Sequence, residues 1–376
     1  MALLAKGGFL PVITPALMGS GFILVGWLVD PLFGLAPGLG VLMLMLAAFF
    51  ANFVYKAMLK PNTAFNNELA FVFIPTNASY QEIRSQLEPL LDDIDSFDDL
   101  AEQKKYTTNI RAGKYAIKKG MTNNDIINSI RSGNLPIRVS FNNQSTLEKL
   151  AGRISKEIEA DSVSLLNAMH DNAFLVENKF SEATALGMYL PNSYEFFWNT
   201  SAEAFRSRML KEYKKFWTDS RIKKAHDIGL SQDQVIALAS IVYEESKQAA
   251  EQPIIAGVYL NRIGIGMPLQ ADPTLKFAAY KLPKYKNTVI KRVLNVHKEI
   301  ESPYNTYKNR GLPPGLIAMP DISAIDAVLN FEKHKYLYFA ADAKQFGYHK
   351  FAKNLAQHNV NARAYQRYLS SQGINK

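Results

Sequence analysis

Cysteine is absent from the 376 residues of the chain. Disulfide bonds and thiolate metal sites are therefore excluded, so a metal ion would have to be held by histidines and carboxylates. None of the six histidines stands in the HExxH spacing that places two ligands on one helix face. We therefore predict neither a metal site nor a cofactor.

Two further groups of motifs are missing. The sequence has no glycine-rich phosphate loop and no GxSxG elbow, which argues against nucleotide chemistry and serine-hydrolase chemistry. The formal net charge of +9 suits an anionic partner, such as nucleic acid, lipid headgroups or an acidic cell-wall polymer. Beyond the N-terminal region there is no dense Arg/Lys run of the kind that marks a nucleic-acid groove, so we expect no nucleic acid among the partners.

Charged side chains are also missing from two long stretches near the N-terminus, residues 7–29 and 31–55, which only Asp30 separates. A bilayer span takes about 20 apolar residues, so each stretch is long enough to cross. We predict a membrane anchor with one or two spans over residues 1–60, with Leu42–Tyr55 as the core of a spanning helix. A cleaved signal peptide is the alternative, but the apolar region is too long for an h-region and no convincing cleavage site follows it.

The orientation of the anchor is open. Lys56 and Lys60 directly follow the second stretch, and the positive-inside tendency would place the rest of the chain in the cytoplasm. Two lysines are a weak signal, because large domains translocate largely regardless of charge.

After the anchor, three segments repeat one order of strand, turn and capped helix. Ser79 with Glu82 has the spacing of a capping box, Thr122 caps the second helix and Gly133 ends it. Such small units bury little alone, so we predict that they pack into a compact α+β region, either a structural spacer or a small sugar-binding module. The predicted elements are strands at Ala70–Ile74, Gly113–Ile117 and Ile137–Phe141, and helices at Tyr80–Leu91, at Asn123–Arg131 and from Ser145 onward.

Residues 151–227 are predicted to be mostly helical, with an interruption at Gly187–Tyr194 that ends in the aromatic run Glu195–Trp198. Aromatic rings beside polar groups suit a sugar-binding wall, because ring faces pack on the apolar faces of pyranoses. Such a cluster is also common in a protein core. Both interpretations stay open at this point.

The stretch from Ser231 to Ala250 is the most informative. Ser231 and Gln234 form another capping-box pair, which predicts a helix. Glu245 falls on the apolar stripe of this helix, whereas Glu244 is rotated by about 100° and should be wetter. Burial against aliphatic side chains raises the pKa of a carboxyl group, and a carboxylic acid that stays protonated can donate to a glycosidic oxygen. Alternatively, Glu245 ends the stripe and reaches solvent. The stripe comprises Val235, Leu238, Ile241 and Val242.

Polar side chains then cluster in Gly- and Pro-rich stretches, followed by a predicted strand at Tyr336–Phe339 and by His349 and His358. Loops held on a rigid scaffold often carry function. The polar clusters are Asn261–Arg262, Gln270–Thr274, Tyr304–Tyr307 and Gly311–Gly315.

The stretch Ala239–Ser246, ASIVYEES, resembles the ASIVEKE helix of the MltG/YceG-like endolytic murein transglycosylases. The resemblance covers roughly residues 66–365 in the family's order. Gly113-Lys114-Tyr115 and Gly120-Met121-Thr122 are similar to the family's LysM-like subdomain. Further matching stretches are Val258–Arg262, Met267–Thr274, Tyr304–Tyr307, Gly311–Gly315, His349 and His358-Asn359.

This resemblance implies an α+β protein with N-terminal transmembrane segment(s), a LysM-like subdomain at 66–150 and a YceG-like catalytic domain at 151–376. Glu245 matches the second glutamate of the family's EKE, and Tyr243 stands at the first. The implied reaction is a non-hydrolytic cut between N-acetylmuramic acid and N-acetylglucosamine of peptidoglycan, which limits the length of glycan strands. Glu245 would protonate the leaving oxygen and then act as base, so that the sugar's own 6-hydroxyl closes a 1,6-anhydro ring.

The resemblance also implies a set of residues that hold the glycan. The implied partners are peptidoglycan strands, the membrane and peptidoglycan synthases, with the catalytic domain outside the bacterial inner membrane. A hydrolytic muramidase and a catalytically silent wall-binding anchor remain the alternatives. The candidate glycan-binding residues are Asn261, Arg262, Gln270, Asp272, Tyr304, Asn305 and Tyr307.

Overall fold

The computed structural model describes residues 37–285, 288–290 and 292–372. The first apolar stretch, 7–29, lies outside these residues. A helix over Pro37–Val54 continues into a π-helical turn at Tyr55–Leu59. Within the described residues, Gly40–Leu59 is the one helix long and apolar enough to cross a membrane, and its side chains are almost all exposed. An exposed apolar helix of this length fits the predicted membrane anchor.

The chain has a mixed α+β fold and forms two compact units. Of the described residues, the first unit contains those from Pro37 to Val72 with Asn77–Arg111 and Tyr115–Gly133. The second contains Phe73–Thr76, Ala112–Lys114 and the described residues from Asn134 onward. The predicted domain boundaries at residues 60, 66 and 150 stay a prediction.

The first part of the fold pairs strand β1 (Leu69–Ile74) with strand β2 (Gly113–Lys118). The capping box of Ser79 and Glu82 is confirmed, but its helix ends at Leu87 instead of Leu91. Pro89 lies in the following 3-10 turn and cannot continue an α-helix, because its ring clashes with the preceding turn. The helices here are Tyr80–Leu87, Ile94–Gln103 and Asn123–Ser132, of which the second was not predicted.

The second unit contains two antiparallel strand pairs among helices. Strand β3 (Pro136–Phe141) pairs with β4 (Asn192–Phe197), and β5 (Tyr338–Ala341) pairs with β6 (His349–Ala352). The predicted strand at Tyr336–Phe339 therefore begins two residues later. The helices are Leu147–Ile154, Ser162–Met169, Asn172–Glu177, Ala202–Phe216, Asp219–Asp227, Gln232–Glu245, Gln252–Gly264, Asp272–Tyr280, Asn295–Lys298, Ile322–Leu329 and Leu355–Ser371.

One cap prediction is wrong. The helix after β3 is capped by Thr146, whose side chain accepts from the backbone N–H of Lys149, and not by Ser145. Both residues can cap a helix, and the local spacing to Glu148 favoured the wrong one.

The aromatic run is buried in part, as the core interpretation predicts, and its role in sugar binding stays a prediction. Tyr194 and Phe196 face the core, with 8% and 6% of their surface exposed, whereas Phe197 is 50% exposed. Successive side chains of a strand point to opposite faces, so the run could not be buried as a whole once it joined β4.

The helix Gln232–Glu245 lies at the centre of the second unit. Its capping box is confirmed, and every residue from Val235 to Val242 is buried, so the helix is covered on all sides and not only along the predicted stripe. It packs against Gln252–Gly264, Asp272–Tyr280 and Ile322–Leu329. This packing fixes the position of Glu245, the last residue of the helix.

Candidate active site

A cavity of about 350 Å³ opens at the C-terminal end of this central helix. The volume is in the range of small-ligand sites. Its walls come from the central helix, the helix Gln252–Gly264, two loops, strand β5 and the C-terminal helix. The lining residues are Glu245, Tyr259, Arg262, Gln270, Asp272, Tyr307, Tyr338, Phe339, Leu355 and His358.

The carboxyl group of Glu245 accepts a hydrogen bond at Oε1, which the Tyr259 hydroxyl donates at 2.7 Å. Burial raises the pKa of Glu245 from 4.5 to about 7, while the bond from Tyr259 lowers it and the charge of Asp272 raises it. The C-terminal end of the helix carries the negative pole of the helix dipole, which also disfavours a carboxylate there. Glu245 is therefore a carboxyl group that can be protonated or ionised near neutral pH.

Arg262 connects two walls of the cavity. Its side chain is buried, and it donates from Nε to the Leu337 carbonyl at 2.7 Å and from Nη1 to the Leu269 carbonyl at 2.6 Å. The positive charge lowers the pKa of Glu245. Because Tyr259 and Arg262 are three residues apart on one helix, they share the face that looks toward Glu245.

A second carboxylate lies on the same cavity. Asp272 begins the helix Asp272–Tyr280 and accepts a hydrogen bond from the Tyr307 hydroxyl at 2.6 Å. A negative charge is favourable in the first turn of a helix. Just before it, Gln270 adopts a left-handed φ of 49° and donates its backbone N–H to the Thr306 carbonyl at 3.0 Å. This bond links the loop that contains Gln270 to the loop that contains Thr306 and Tyr307.

A glycine brings the β5 wall to the site. A Cβ atom at Gly257 would lie 2.5 Å from the carbonyl oxygen of Glu332. Only glycine at this position therefore lets the segment that precedes β5 lie directly on the helix Gln252–Gly264. The segment then runs on to Leu337, which accepts from Arg262, and to Tyr338, which lines the cavity.

The cavity brings together Glu245 and four of the seven predicted glycan-binding residues: Arg262, Gln270, Asp272 and Tyr307. The other three do not line it. Asn261 donates its amide to the carbonyls of His334 at 2.9 Å and Tyr336 at 3.0 Å. Its side chain therefore supports the segment that precedes β5, and its predicted role in binding substrate stays a prediction.

Tyr304 and Asn305 are buried and lie in the same loop as Tyr307. The ring of Tyr304 packs on Phe277, with centroids 4.7 Å apart. The Asn305 amide donates to the carbonyls of Lys298 and Ile300, both at 2.8 Å. These contacts give both side chains a structural task, namely to fix the loop that carries Tyr307. Their predicted contact with substrate stays a prediction.

Five lining residues were not predicted. Tyr259 had a local signal, because it lies three residues before Arg262 on the same helix. His358 belongs to the stretches that resemble the family but was not predicted as a site residue: it reaches the cavity from the C-terminal helix and stacks on Tyr338 with centroids 5.3 Å apart. Burial lowers the pKa of His358, which favours the neutral ring. Tyr338, Phe339 and Leu355 meet the site only through long-range packing.

With this geometry established, comparison with known proteins identifies the family. The model of the YceG-like family matches residues 72–364. The chain belongs to the YceG-like family. All residues that line the cavity fall inside the matched range, so the site belongs to the part of the chain that defines the family.

Relatives of this YceG-like chain include an endolytic murein transglycosylase of Bacillus subtilis strain 168, which is 32% identical over 85% of this chain and 90% of its own length. An endolytic murein transglycosylase of Streptococcus pneumoniae is 28% identical over 81% of this chain, which spans 59% of that longer protein. A crystal structure of a YceG-like protein from Listeria monocytogenes matches 78% of this chain and 99% of its own, with 27% identity and a TM-score of 0.52.

Proposed function

We propose that this protein is an endolytic murein transglycosylase, anchored in the membrane and acting on the bond between N-acetylmuramic acid and N-acetylglucosamine in peptidoglycan strands. One observation carries the proposal: the carboxyl group of Glu245 lies at the end of a buried helix, faces a cavity and accepts a hydrogen bond from Tyr259, and burial raises its pKa to about 7. The names of the related proteins support it.

The reaction needs one group that gives a proton and later takes one. Protonated Glu245 donates its proton to the glycosidic oxygen as the bond from that oxygen to the anomeric carbon breaks. The resulting carboxylate then accepts the proton of the muramic acid 6-hydroxyl as that oxygen bonds to the anomeric carbon. The product ends in a 1,6-anhydro sugar, no water is consumed, and Glu245 is again protonated.

The neighbours of Glu245 suit both halves of this cycle. Tyr259 and Arg262 stabilise the carboxylate form after the first proton transfer, whereas burial stabilises the acid form before it. Asp272 supplies a negative charge in the same cavity, which would stabilise positive charge near the anomeric carbon.

Asp272 is also the feature that favours the alternative, a hydrolytic muramidase, because most glycoside hydrolases use two carboxyl groups. The two reactions leave different ends. We expect full-length protein in detergent, incubated with purified peptidoglycan strands, to release internal fragments that end in 1,6-anhydro-muramic acid by mass spectrometry. Reducing ends would instead establish a hydrolase, and intact strands would favour a wall-binding anchor.

The rate of cleavage should fall as the pH rises. Glu245 must be protonated to act as the acid, and with a pKa of about 7 its protonated fraction falls above that pH. We expect log kcat/KM to lose about one unit per pH unit on the alkaline side. Tyr259→Phe removes a bond that lowers the pKa of Glu245, so this alkaline limb should move to higher pH. A pH–rate profile of both proteins checks the prediction, and a limb that moves to lower pH would contradict it.

We assign residues 66–150 to a LysM-like subdomain and 151–376 to the catalytic domain, which faces the periplasm or the cell exterior, since assembled wall lies outside the inner membrane. Association with peptidoglycan synthases would place the cuts in newly made strands and limit their length. Protease accessibility in intact cells tests the orientation, and a pull-down that recovers no synthase would remove that partner.

A further inference from the structure

A second cavity, of about 560 Å³, lies in the same compact unit as the candidate active site and shares no lining residue with it. We call it the Trp198 groove. It is lined by two aromatic rings, three cationic side chains, one acid and two apolar residues: Phe73, Trp198, Lys114, Arg138, Lys156, Glu157, Pro136 and Ile137.

The two rings form a preformed apolar surface. Phe73 and Trp198 meet edge to face, with centroids 5.3 Å apart and planes at 69°. Phe73 points outward from β1, because its neighbours Val72 and Ile74 are buried, and it is 38% exposed. The backbone at Trp198 is fixed as well, since its carbonyl accepts the N–H of Glu159 at 2.8 Å. Trp198 is partly exposed, and two partly exposed rings fixed in this way suit a ligand with flat apolar faces.

The charges around the rings are mostly positive. Arg138 and Lys156 are exposed, and Lys114 places its Nζ 5.7 Å from the centre of the Phe73 ring. The acid of the groove, Glu157, is neutralised by Arg153 at 2.6 Å. The groove therefore combines partly exposed aromatic faces with an excess of positive charge, and it accounts for part of the basic character of the chain.

We propose that the Trp198 groove is a second binding site for the peptidoglycan strand, separate from the site of cleavage. Trp198 and Phe73 pack against the apolar faces of the sugar rings, and Arg138 and Lys156 pair with the carboxylates of the peptide stems. This inference rests on the proposed function for the identity of the polymer. Two contacts along one strand raise the effective concentration of its bonds at Glu245, so the groove favours long strands over short ones.

Binding is best measured on the full-length Glu245→Gln protein in detergent, because strands should then stay intact. We expect Trp198→Ala to weaken the binding of purified, stem-bearing strands by about tenfold, the value of one buried aromatic contact. The matched control is Phe197→Ala, which removes an adjacent ring that is 50% exposed but does not line the groove. An unchanged dissociation constant in Trp198→Ala, or an equal loss in Phe197→Ala, would overturn the proposal.

The charged part of the site needs a separate ligand. The double variant Arg138→Gln/Lys156→Gln should weaken the binding of stem-bearing strands severalfold and leave neutral N-acetylglucosamine oligomers unaffected. Equal weakening for both ligands would contradict pairing with the stems. Tighter binding of a phosphate polymer, such as single-stranded DNA, than of strands would overturn the assignment to glycan. Trp198→Phe keeps a ring in place, so it should retain most of the binding and controls for misfolding.

Measurements of cleavage distinguish binding in the Trp198 groove from the proposed function. With Glu245 intact, Trp198→Ala should raise KM for long strands severalfold and leave kcat/KM for short fragments unchanged, because those fragments fill only the catalytic cavity. A wild-type protein that cuts no strand would refute the proposed function, yet the binding comparison would still decide whether the groove holds glycan. Normal cutting with an unchanged KM in Trp198→Ala would refute the groove alone.

Discussion

Glu245→Gln is expected to reduce the cleavage of peptidoglycan strands by about a thousandfold or more, since one positioned acid–base group contributes about 10²–10⁴-fold and this residue acts in both steps. Glutamine has nearly the same shape, and its carbonyl oxygen can still accept from the Tyr259 hydroxyl. The variant should therefore fold and bind strands. What it loses is the transferable proton.

Glu244→Gln is the matched control. This side chain is adjacent, exposed and paired with Lys247 at 2.9 Å, outside the cavity. The same change of charge there should alter the rate by less than about twofold, because this side chain does not line the cavity. The protein should also stay folded, because an exposed ion pair contributes little to stability. Fragments ending in anhydro-muramic acid are counted by mass spectrometry for both variants. If Glu245→Gln still produced them at the wild-type rate, the catalytic assignment would be wrong.

The choice of Glu245 could be made from sequence because its evidence is local. A capping pair fixes where the helix starts, and the 3.6-residue period then decides which glutamate is buried. The structure agrees: Glu244 is exposed and Glu245 is desolvated. The hydrogen-bond partner of Glu245 was harder to predict, since Tyr259 lies 14 residues further along and belongs to another helix.

The loop residues show what a local pattern leaves undecided. Asn261 and Arg262 are neighbours in one motif, yet only Arg262 lines the cavity, and Asn261 binds carbonyls more than 70 residues away. A polar side chain in a rigid loop either holds the loop or faces the ligand. The difference depends on where distant backbone carbonyls lie, which no short spacing encodes.

The pairing of β3 with β4 could not be predicted from the sequence for the same reason. β3 and β4 are separated by some fifty residues, and only their pairing assigns Phe196 to the core and Phe197 to the surface. The core interpretation of the aromatic run is correct for Tyr194 and Phe196 only, because a strand presents alternate residues to opposite faces, and the sugar-binding interpretation stays a prediction.

Arg262→Met is expected to combine a large loss of stability with a change in the pH profile. Methionine fills much of the same volume but donates no hydrogen bond, so the carbonyls of Leu269 and Leu337 lose their donors. A buried polar group left without a partner costs about 1–3 kcal/mol, so the two together cost roughly 3 kcal/mol. For a unit of this size, that lowers the unfolding midpoint by roughly 5–10 °C.

Loss of the Arg262 charge also changes the pKa of Glu245 in a defined direction. Arg262 lowers the pKa of Glu245, so its removal raises that pKa and moves the alkaline limb of the pH–rate profile to higher pH. Thermal unfolding by circular dichroism and kcat/KM against pH are measured on the full-length protein, with Arg363→Met as the control on an exposed helix position. An unchanged midpoint would show that Arg262 does not clamp the two walls. A lower midpoint with an unmoved limb would mean that its charge does not reach Glu245, and burial and Tyr259 alone would then set the protonation of the catalytic acid.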